Sequence, residues 1–183
     1  MSLSKPFIAA CLIFFFSFSS QASAQILSDS NTNLPGVWAG STTWGDYDAD
    51  GDPDLLITGL TGTAENCLPI ARIYRNTTGT FTDINAGLPA IYLGKAAWGD
   101  YDGDGDLDIA ISGFQADDSG LTRVYRNDNG SFTQDTDQNM ISLRYSNVAW
   151  GDYDADGDAD LLVSGMTIGG TVNTVLYSNS RID

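Results

Sequence analysis

Aspartates stand at alternate positions around a glycine in three short stretches of this 183-residue chain. The stretches read DYDADGDPD, DYDGDGDLD and DYDADGDAD, with aspartates at positions 1, 3, 5, 7 and 9 and glycine at position 6. The aspartates are Asp46, Asp48, Asp50, Asp52 and Asp54; Asp100, Asp102, Asp104, Asp106 and Asp108; Asp152, Asp154, Asp156, Asp158 and Asp160. Such spacing suits Ca²⁺, a hard cation that takes oxygen ligands. We predict about three calcium ions, one per loop, with a structural role.

The spacing assigns a separate task to each position. Carboxylates at positions 1, 3 and 5 converge when the chain wraps around an ion, and glycine at position 6 permits the sharp turn. Position 7 would contribute its backbone carbonyl, so we expect its side chain to point to solvent. Position 9 closes the site. The position-7 residues are Asp52, Asp106 and Asp158.

The loop differs from the EF-hand, whose position 12 holds a bidentate glutamate. Here position 12 is Ile57, Ile111 or Val163, and the flanking residues favour strands over helices. We therefore interpret each aspartate stretch as a calcium loop that joins two strands.

The loops belong to longer repeats, 44–59, 98–113 and 150–165, which are 54 and 52 residues apart. Each unit contains short apolar runs typical of buried strands, bounded by glycine and by turn residues. About four strands in this length match one propeller blade. The sequence predicts an all-β partial β-propeller of about three blades, with the loop between the first two strands of each blade.

The third unit ends before the strand that Phe81 and Phe132 begin in the other units, so the last blade is predicted to be incomplete. Open strand edges invite pairing with other chains. We expect either a fragment of a longer propeller or self-association through open blade edges.

The repeats resemble FG-GAP/VCBS repeats, the blade unit of integrin α-subunit propellers. The stretches YRNTTGTFTD at 74–83 and YRNDNGSF at 125–132 are also similar to the tail of such repeats. The resemblance places the repeat domain at 36–183. It implies a calcium-binding module that mediates adhesion or binds an extracellular protein or glycan. Two alternatives stay open: a truncated part of a larger extracellular protein or enzyme, and a small oligomeric lectin.

The repeated aromatic residues are predicted to pack inside the fold. Trp44, Trp98 and Trp150 each precede Gly-Asp on a strand that enters the loop, so we expect all three in the core. Tyr47, Tyr101 and Tyr153 should pack beside the loops.

The first 24 residues are typical of a secretory signal peptide. Lys5 is followed by an apolar stretch at 7–18, and Ala22-Ser23-Ala24 forms a small-residue cleavage site before Gln25. About 12 apolar residues are too few for a membrane span. The sequence predicts a secreted or cell-surface protein without a membrane span after cleavage, and a linker at 25–35.

The net charge of −16 arises largely from the loops, which hold 15 of the 24 acidic residues. Eight scattered basic residues argue against a nucleic-acid partner. The chain contains no histidine, which removes the usual general base and typical zinc sites. The clustered aspartates are assigned to metal, so we predict no enzymatic activity.

Overall fold

Eleven strands form three antiparallel sheets in residues 27–180, the part of the chain that this computed structural model describes. This stretch has no helix, and therefore none long and apolar enough to cross a membrane. The all-β prediction is confirmed. The predicted signal peptide and its cleavage site lie outside the described residues.

The strands follow the chain in order within each sheet. The first sheet contains β1 (Trp38–Gly45), β2 (Asp54–Thr63), β3 (Asn66–Thr77) and β4 (Thr80–Asp83). The second contains β5 (Tyr92–Gly99), β6 (Asp108–Phe114), β7 (Gly120–Asp128) and β8 (Ser131–Gln134). The third contains β9 (Arg144–Gly151), β10 (Asp160–Met166) and β11 (Val172–Tyr177).

Local sequence explains the tight turns that close the first two sheets. The β3–β4 turn has positive φ at Thr78 (50°) and Gly79 (91°), and the β7–β8 turn has it at Asn129 (52°) and Gly130 (87°). Two successive positive φ angles define the type I′ turn that joins twisted strands in a hairpin. Gly79, Asn129 and Gly130 accept this geometry readily, which is why the sequence predicts turns here, whereas Thr78 adopts it although it is β-branched.

The apolar core lies between successive sheets. One cluster joins Leu56 and Ile73 of the first sheet to Ile109 and Ile111 of the second. Another joins Ala110 and Val124 of the second sheet to residues of the third, including Leu161 and Val163. Each repeat therefore buries its core against its neighbour, as repeat architectures do.

The third sheet has three strands, in agreement with the sequence prediction. In the second sheet, Phe132 of β8 packs against Tyr47 and Trp98. At the corresponding place in the third sheet lies a cavity of about 210 Å³ whose lining includes Tyr101 and Trp150. Within residues 27–180, β11 pairs with β10 alone.

The prediction for the tryptophans is wrong in one repeat. Trp98 and Trp150 are half-buried and pack against the clusters between the sheets. Trp44 is 61% exposed. The three residues occupy equivalent positions, but Trp98 and Trp150 are covered by the preceding sheet, and no described residue covers Trp44 in the same way.

Candidate metal centres

The aspartate loops occupy the same place in all three sheets, between the first and second strands. Position 6 is left-handed in each loop, with φ of 93° at Gly51, 96° at Gly105 and 95° at Gly157. The predicted need for glycine there is confirmed. Position 4 is also left-handed, and its residues are Ala49, Gly103 and Ala155, with φ of 55°, 67° and 62°.

A buried aspartate at position 9 holds each loop to the strands of its own sheet. Asp54 accepts backbone N–H bonds from Tyr47 at 3.1 Å and from Asn76 at 2.7 Å, one on each carboxylate oxygen. Tyr47 lies at position 2 of the loop, whereas Asn76 lies on β3. The carboxylate therefore joins the loop to the third strand of the sheet.

The same arrangement recurs in the other two sheets. Asp108 accepts from the backbone N–H of Tyr101 at 2.7 Å and of Asn127 at 2.8 Å. Asp160 accepts in the same way, at 2.9 and 2.8 Å, from Tyr153 and Asn179. All three position-9 aspartates are buried. Charge-assisted bonds of this kind compensate for burial of a carboxylate.

Burial changes the acidity of these carboxyl groups. It raises the pKa of Asp108 to about 6, although the two backbone N–H donors act in the opposite direction. Burial likewise raises the pKa of Asp54. The pKa of Asp102 is raised first by burial and then by the negative charge of Asp104. The loops thus hold carboxylates in a setting that disfavours their negative charge.

Each loop brings three carboxylates together. Their oxygen atoms lie within 4.8 Å of one another in three groups within residues 27–180. The groups are Asp46, Asp48 and Asp50; Asp100, Asp102 and Asp108; Asp152, Asp154 and Asp160. Positions 1 and 3 are common to all groups. The third member comes from position 5 in the first loop and from position 9 in the others.

Two carboxylate oxygens in these groups are buried without a hydrogen-bond partner among the described residues. They are Asp48 Oδ1 and Asp100 Oδ1. The position-3 aspartates of these two loops lie near arginines, with Asp48 Oδ2 at 3.8 Å from Arg75 Nε and Asp102 Oδ2 at 3.7 Å from Arg126 Nε. The third repeat has Ser178 at the equivalent place. The first two loops therefore each contain a buried carboxylate oxygen that can still accept a bond, Asp48 Oδ1 and Asp100 Oδ1.

The structure corrects the expected role of position 7. Asp52 Oδ2 accepts the backbone N–H of Thr78 at 2.7 Å, and Asp106 Oδ2 accepts that of Asn129 at 3.0 Å. Both side chains are half-buried, and each binds the hairpin turn of its own sheet. The sequence analysis predicted that they would point to solvent. Asp158 is also half-buried.

Three further sequence-predicted ligands stand outside the carboxylate groups, and one of them is Asp54, which binds backbone amides. Asp104 and Asp156, both at position 5, are exposed. The Oδ1 atom of each accepts the backbone N–H two residues later, at 2.9 Å. Position 5 therefore shapes the turn in every loop, since Asp50 makes the same bond to Asp52.

An asparagine at the end of the third strand or just after it has a role in the second and third repeats that the loop motif alone did not indicate. Asn127 Nδ2 donates to the carbonyl oxygens of Tyr47, in the preceding repeat, and Leu107, in its own. Asn179 Nδ2 donates in the same way to Tyr101 and Ala159. Recurrence of asparagine after the Tyr-Arg or Tyr-Ser pair is the signal that could have revealed this role.

Comparison with known proteins agrees with this architecture. A family model described as FG-GAP-like repeat matches residues 46–111 and 100–163. Neither the curated proteins nor the solved structures gave a match. The matched segments each run from one aspartate loop into the next and together span more than half of the chain. The chain therefore belongs to the FG-GAP-like repeat family.

Proposed function

We propose that this protein is a secreted, calcium-binding repeat module without enzymatic activity, which binds an extracellular protein or a glycan. The supporting observation is the recurrence of three converging carboxylates at the same place in every sheet. Calcium would join strands that each sheet already brings together, and its role would be structural.

The donor set fits calcium. Every candidate ligand is a carboxylate oxygen, which suits a hard cation. Asp48 Oδ1 and Asp100 Oδ1 are buried acceptors that a cation would satisfy, and a buried acceptor without a partner is otherwise costly. Asp46, Asp48 and Asp50 would hold the ion in the first loop. In the other loops, positions 1 and 3 would act with the position-9 carboxylate.

The contacts of the acidic groups support the proposal of a non-enzymatic role. The position-9 carboxylates use both oxygens on backbone amides, and Asp52 and Asp106 hold hairpin turns. A pair of carboxylates that performs acid–base chemistry needs one group free to take or give a proton. The absence of histidine from the sequence supports the same proposal.

An extracellular setting is supported by the family and by the predicted signal peptide. Calcium sites of extracellular modules bind at about 10⁻⁴ to 10⁻³ M, and we expect affinity in this range. Binding to the folded state alone raises its stability by mass action. Calcium should therefore act as the cross-link that disulfides provide in many secreted proteins. Cys67, the one cysteine outside the predicted signal peptide, is free.

Thermal unfolding with calcium and with chelator tests this proposal. Millimolar calcium should raise the melting temperature, and Asp48→Asn or Asp100→Asn should reduce that increase. Asp137→Asn is the matched control, because it removes one negative charge from an exposed aspartate outside the loops. The control should respond to calcium as the parent does.

An equal melting temperature with calcium and with chelator would rule out the structural role of calcium.

A glycan array and a binding screen with extracellular proteins would identify the class of partner. Binding to glycans by an oligomer would favour the lectin alternative.

A further inference from the structure

The outer face of the third sheet repeats a surface that is buried in the other two sheets. We define this outer face as Gly151, Tyr153, Leu162 and Leu176. In the first sheet the equivalent residues are Gly45, Tyr47, Leu56 and Ile73, and in the second they are Gly99, Tyr101, Ala110 and Val124.

Exposure differs sharply between these equivalent positions. Leu56 and Ile73 are fully buried by the second sheet, and Ala110 and Val124 are fully buried by the third. On the outer face, Leu162 is 43% exposed, Leu176 is 45% exposed and Tyr153 is 59% exposed. An apolar patch that is solvent-exposed at one repeat and an interface at two others is an interaction surface.

The glycine of each buried face accepts a tryptophan from the next sheet. A Cβ placed on Gly45 would lie 2.6 Å from Trp98 Cδ1, and one placed on Gly99 would lie 2.5 Å from Trp150 Cδ1. Only glycine allows an indole so close to the backbone. At Gly151, no described atom lies within 4 Å of the same position.

The first sheet presents the tryptophan of the complementary half of this contact. Trp44 is equivalent to Trp98 and Trp150, and it is the exposed member of the set. Leu55 and Ile57, the equivalents of Ile109 and Ile111, are already buried in the first sheet, and Leu34 and Val37 pack against them. The chain therefore carries an unused tryptophan in its first sheet and an open glycine position in its third.

Polar contacts across the internal interfaces have equivalents at the two exposed faces. Between the second and third sheets, Trp150 Nε1 donates to Ala97 O at 3.3 Å, which would correspond to Trp44 donating to Ala149 O. Trp98 Nε1 has no hydrogen-bond partner among the described residues, so this bond forms at one of the two internal interfaces. Asn179 Nδ2 donates to Tyr101 O at 2.7 Å. Its equivalent across the exposed faces would join Asn76 to the carbonyl oxygen of Tyr153.

We propose that a second copy of this chain docks on the outer face of the third sheet, with its Trp44 indole on Gly151. The contact repeats the placing of an indole on a glycine that the chain forms twice internally, at Gly45 and at Gly99. Leu34 and Val37 already cover Leu55 and Ile57, so the contact centres on Trp44. This head-to-tail contact joins two different surfaces. Two copies can satisfy both surfaces at once if the rotation closes. The closed dimer would contain six sheets, within the range of about four to eight blades in propellers.

Sedimentation velocity over a concentration series tests this proposal. The purified protein in calcium-containing buffer should form a dimer. Gly151→Leu fills the open position, and Trp44→Ala removes the docking side chain; each should raise the dissociation constant about tenfold or more. Gly151→Leu should fold normally, because its Cβ meets no described atom within the chain. Circular dichroism checks the fold of both variants.

Two controls distinguish this contact from general surface effects. Gly169→Leu adds the same side chain in the exposed β10–β11 turn, where a Cβ meets only Thr167 Oγ1, at 3.9 Å, among the described atoms. Leu68→Ala removes an exposed apolar side chain from the first sheet. Both controls should dimerise as the parent does, and a mixture of Trp44→Ala with Gly151→Leu should associate through the one intact contact.

A parent protein that is monomeric throughout the series would overturn the proposal. Association that survives both Trp44→Ala and Gly151→Leu would also overturn it, because the contact would then lie elsewhere, such as at the β11 edge.

Discussion

The second and third aspartate loops have nearly the same sequence but different surroundings. Tyr101 of the second loop packs against Trp150 of the next sheet, whereas Tyr153 of the third loop is 59% exposed. Their position-9 aspartates nevertheless make the same two backbone contacts. The comparison separates two kinds of stabilisation. The two backbone hydrogen bonds to the position-9 aspartate form within one repeat. Burial of the loop's aromatic residue depends on the neighbouring repeat.

The largest effect on stability should come from removing a position-9 carboxylate and its two backbone hydrogen bonds. Asp108→Ala leaves two buried backbone N–H groups without an acceptor, and we expect it to lower the free energy of unfolding by about 3 kcal/mol or more. Asp160→Ala should cost less, because its donors Tyr153 and Asn179 are less buried than Tyr101 and Asn127. Chemical denaturation of both variants measures the difference. Equal losses in the free energy of unfolding would mean that coverage by a neighbouring sheet does not affect the hydrogen bonds to the position-9 aspartate.

The next effect addresses the contact between repeats. Gly99→Ala places a Cβ against the Trp150 indole and should lower the free energy of unfolding by about 1–3 kcal/mol. Gly151→Ala is its matched control and should change it by less than about 0.5 kcal/mol at protein concentrations too low for self-association. A comparable loss from the two substitutions would show that the indole contact does not stabilise the second sheet.

A smaller effect concerns position 4, where the second loop has Gly103 and the third has Ala155, both with positive φ. Gly103→Ala should lower the free energy of unfolding by about 1 kcal/mol, since a Cβ is disfavoured in the left-handed region. Ala155→Gly should raise it by a similar or smaller amount. Denaturation midpoints at equal calcium concentration test both. A stabilising Gly103→Ala would contradict the assigned backbone conformation.

The smallest effect concerns the arginine beside the second loop. Arg126 is half-exposed and 3.7 Å from Asp102, so its charge should weaken calcium binding only modestly. Arg126→Ser should raise the affinity of the second loop about two- to threefold, and Ser178→Arg should lower that of the third by a similar factor. Calorimetric titration at low and high salt should show both changes reduced at high salt.

The repeated motif predicted the sheets and loops because its signals are local. Alternating aspartates, glycine at position 6 and the turn residues around Gly79 and Gly130 act within a few residues of the chain. The sequence prediction was less successful where two repeats meet. It placed Trp44 in the core because it is equivalent to Trp98 and Trp150, but burial requires a covering sheet that sequence periodicity does not supply.

The division of work among the aspartates was also only partly predictable. All five alternate positions looked like ligands because the residue type is the same at each. The structure separates positions 1 and 3, which converge in every loop, from Asp52 and Asp106, which hold hairpin turns. That separation depends on where the β3–β4 and β7–β8 turns bring their backbone amides, which is tertiary information.

Counting the calcium ions bound per chain tests the central claim most directly. Protein stripped with chelator and returned to millimolar calcium should bind three ions, measured by equilibrium dialysis or native mass spectrometry. Asp50→Ala should leave two, because its carboxylate belongs to the first group alone. Binding of fewer than three ions by the parent at saturating calcium would contradict the account.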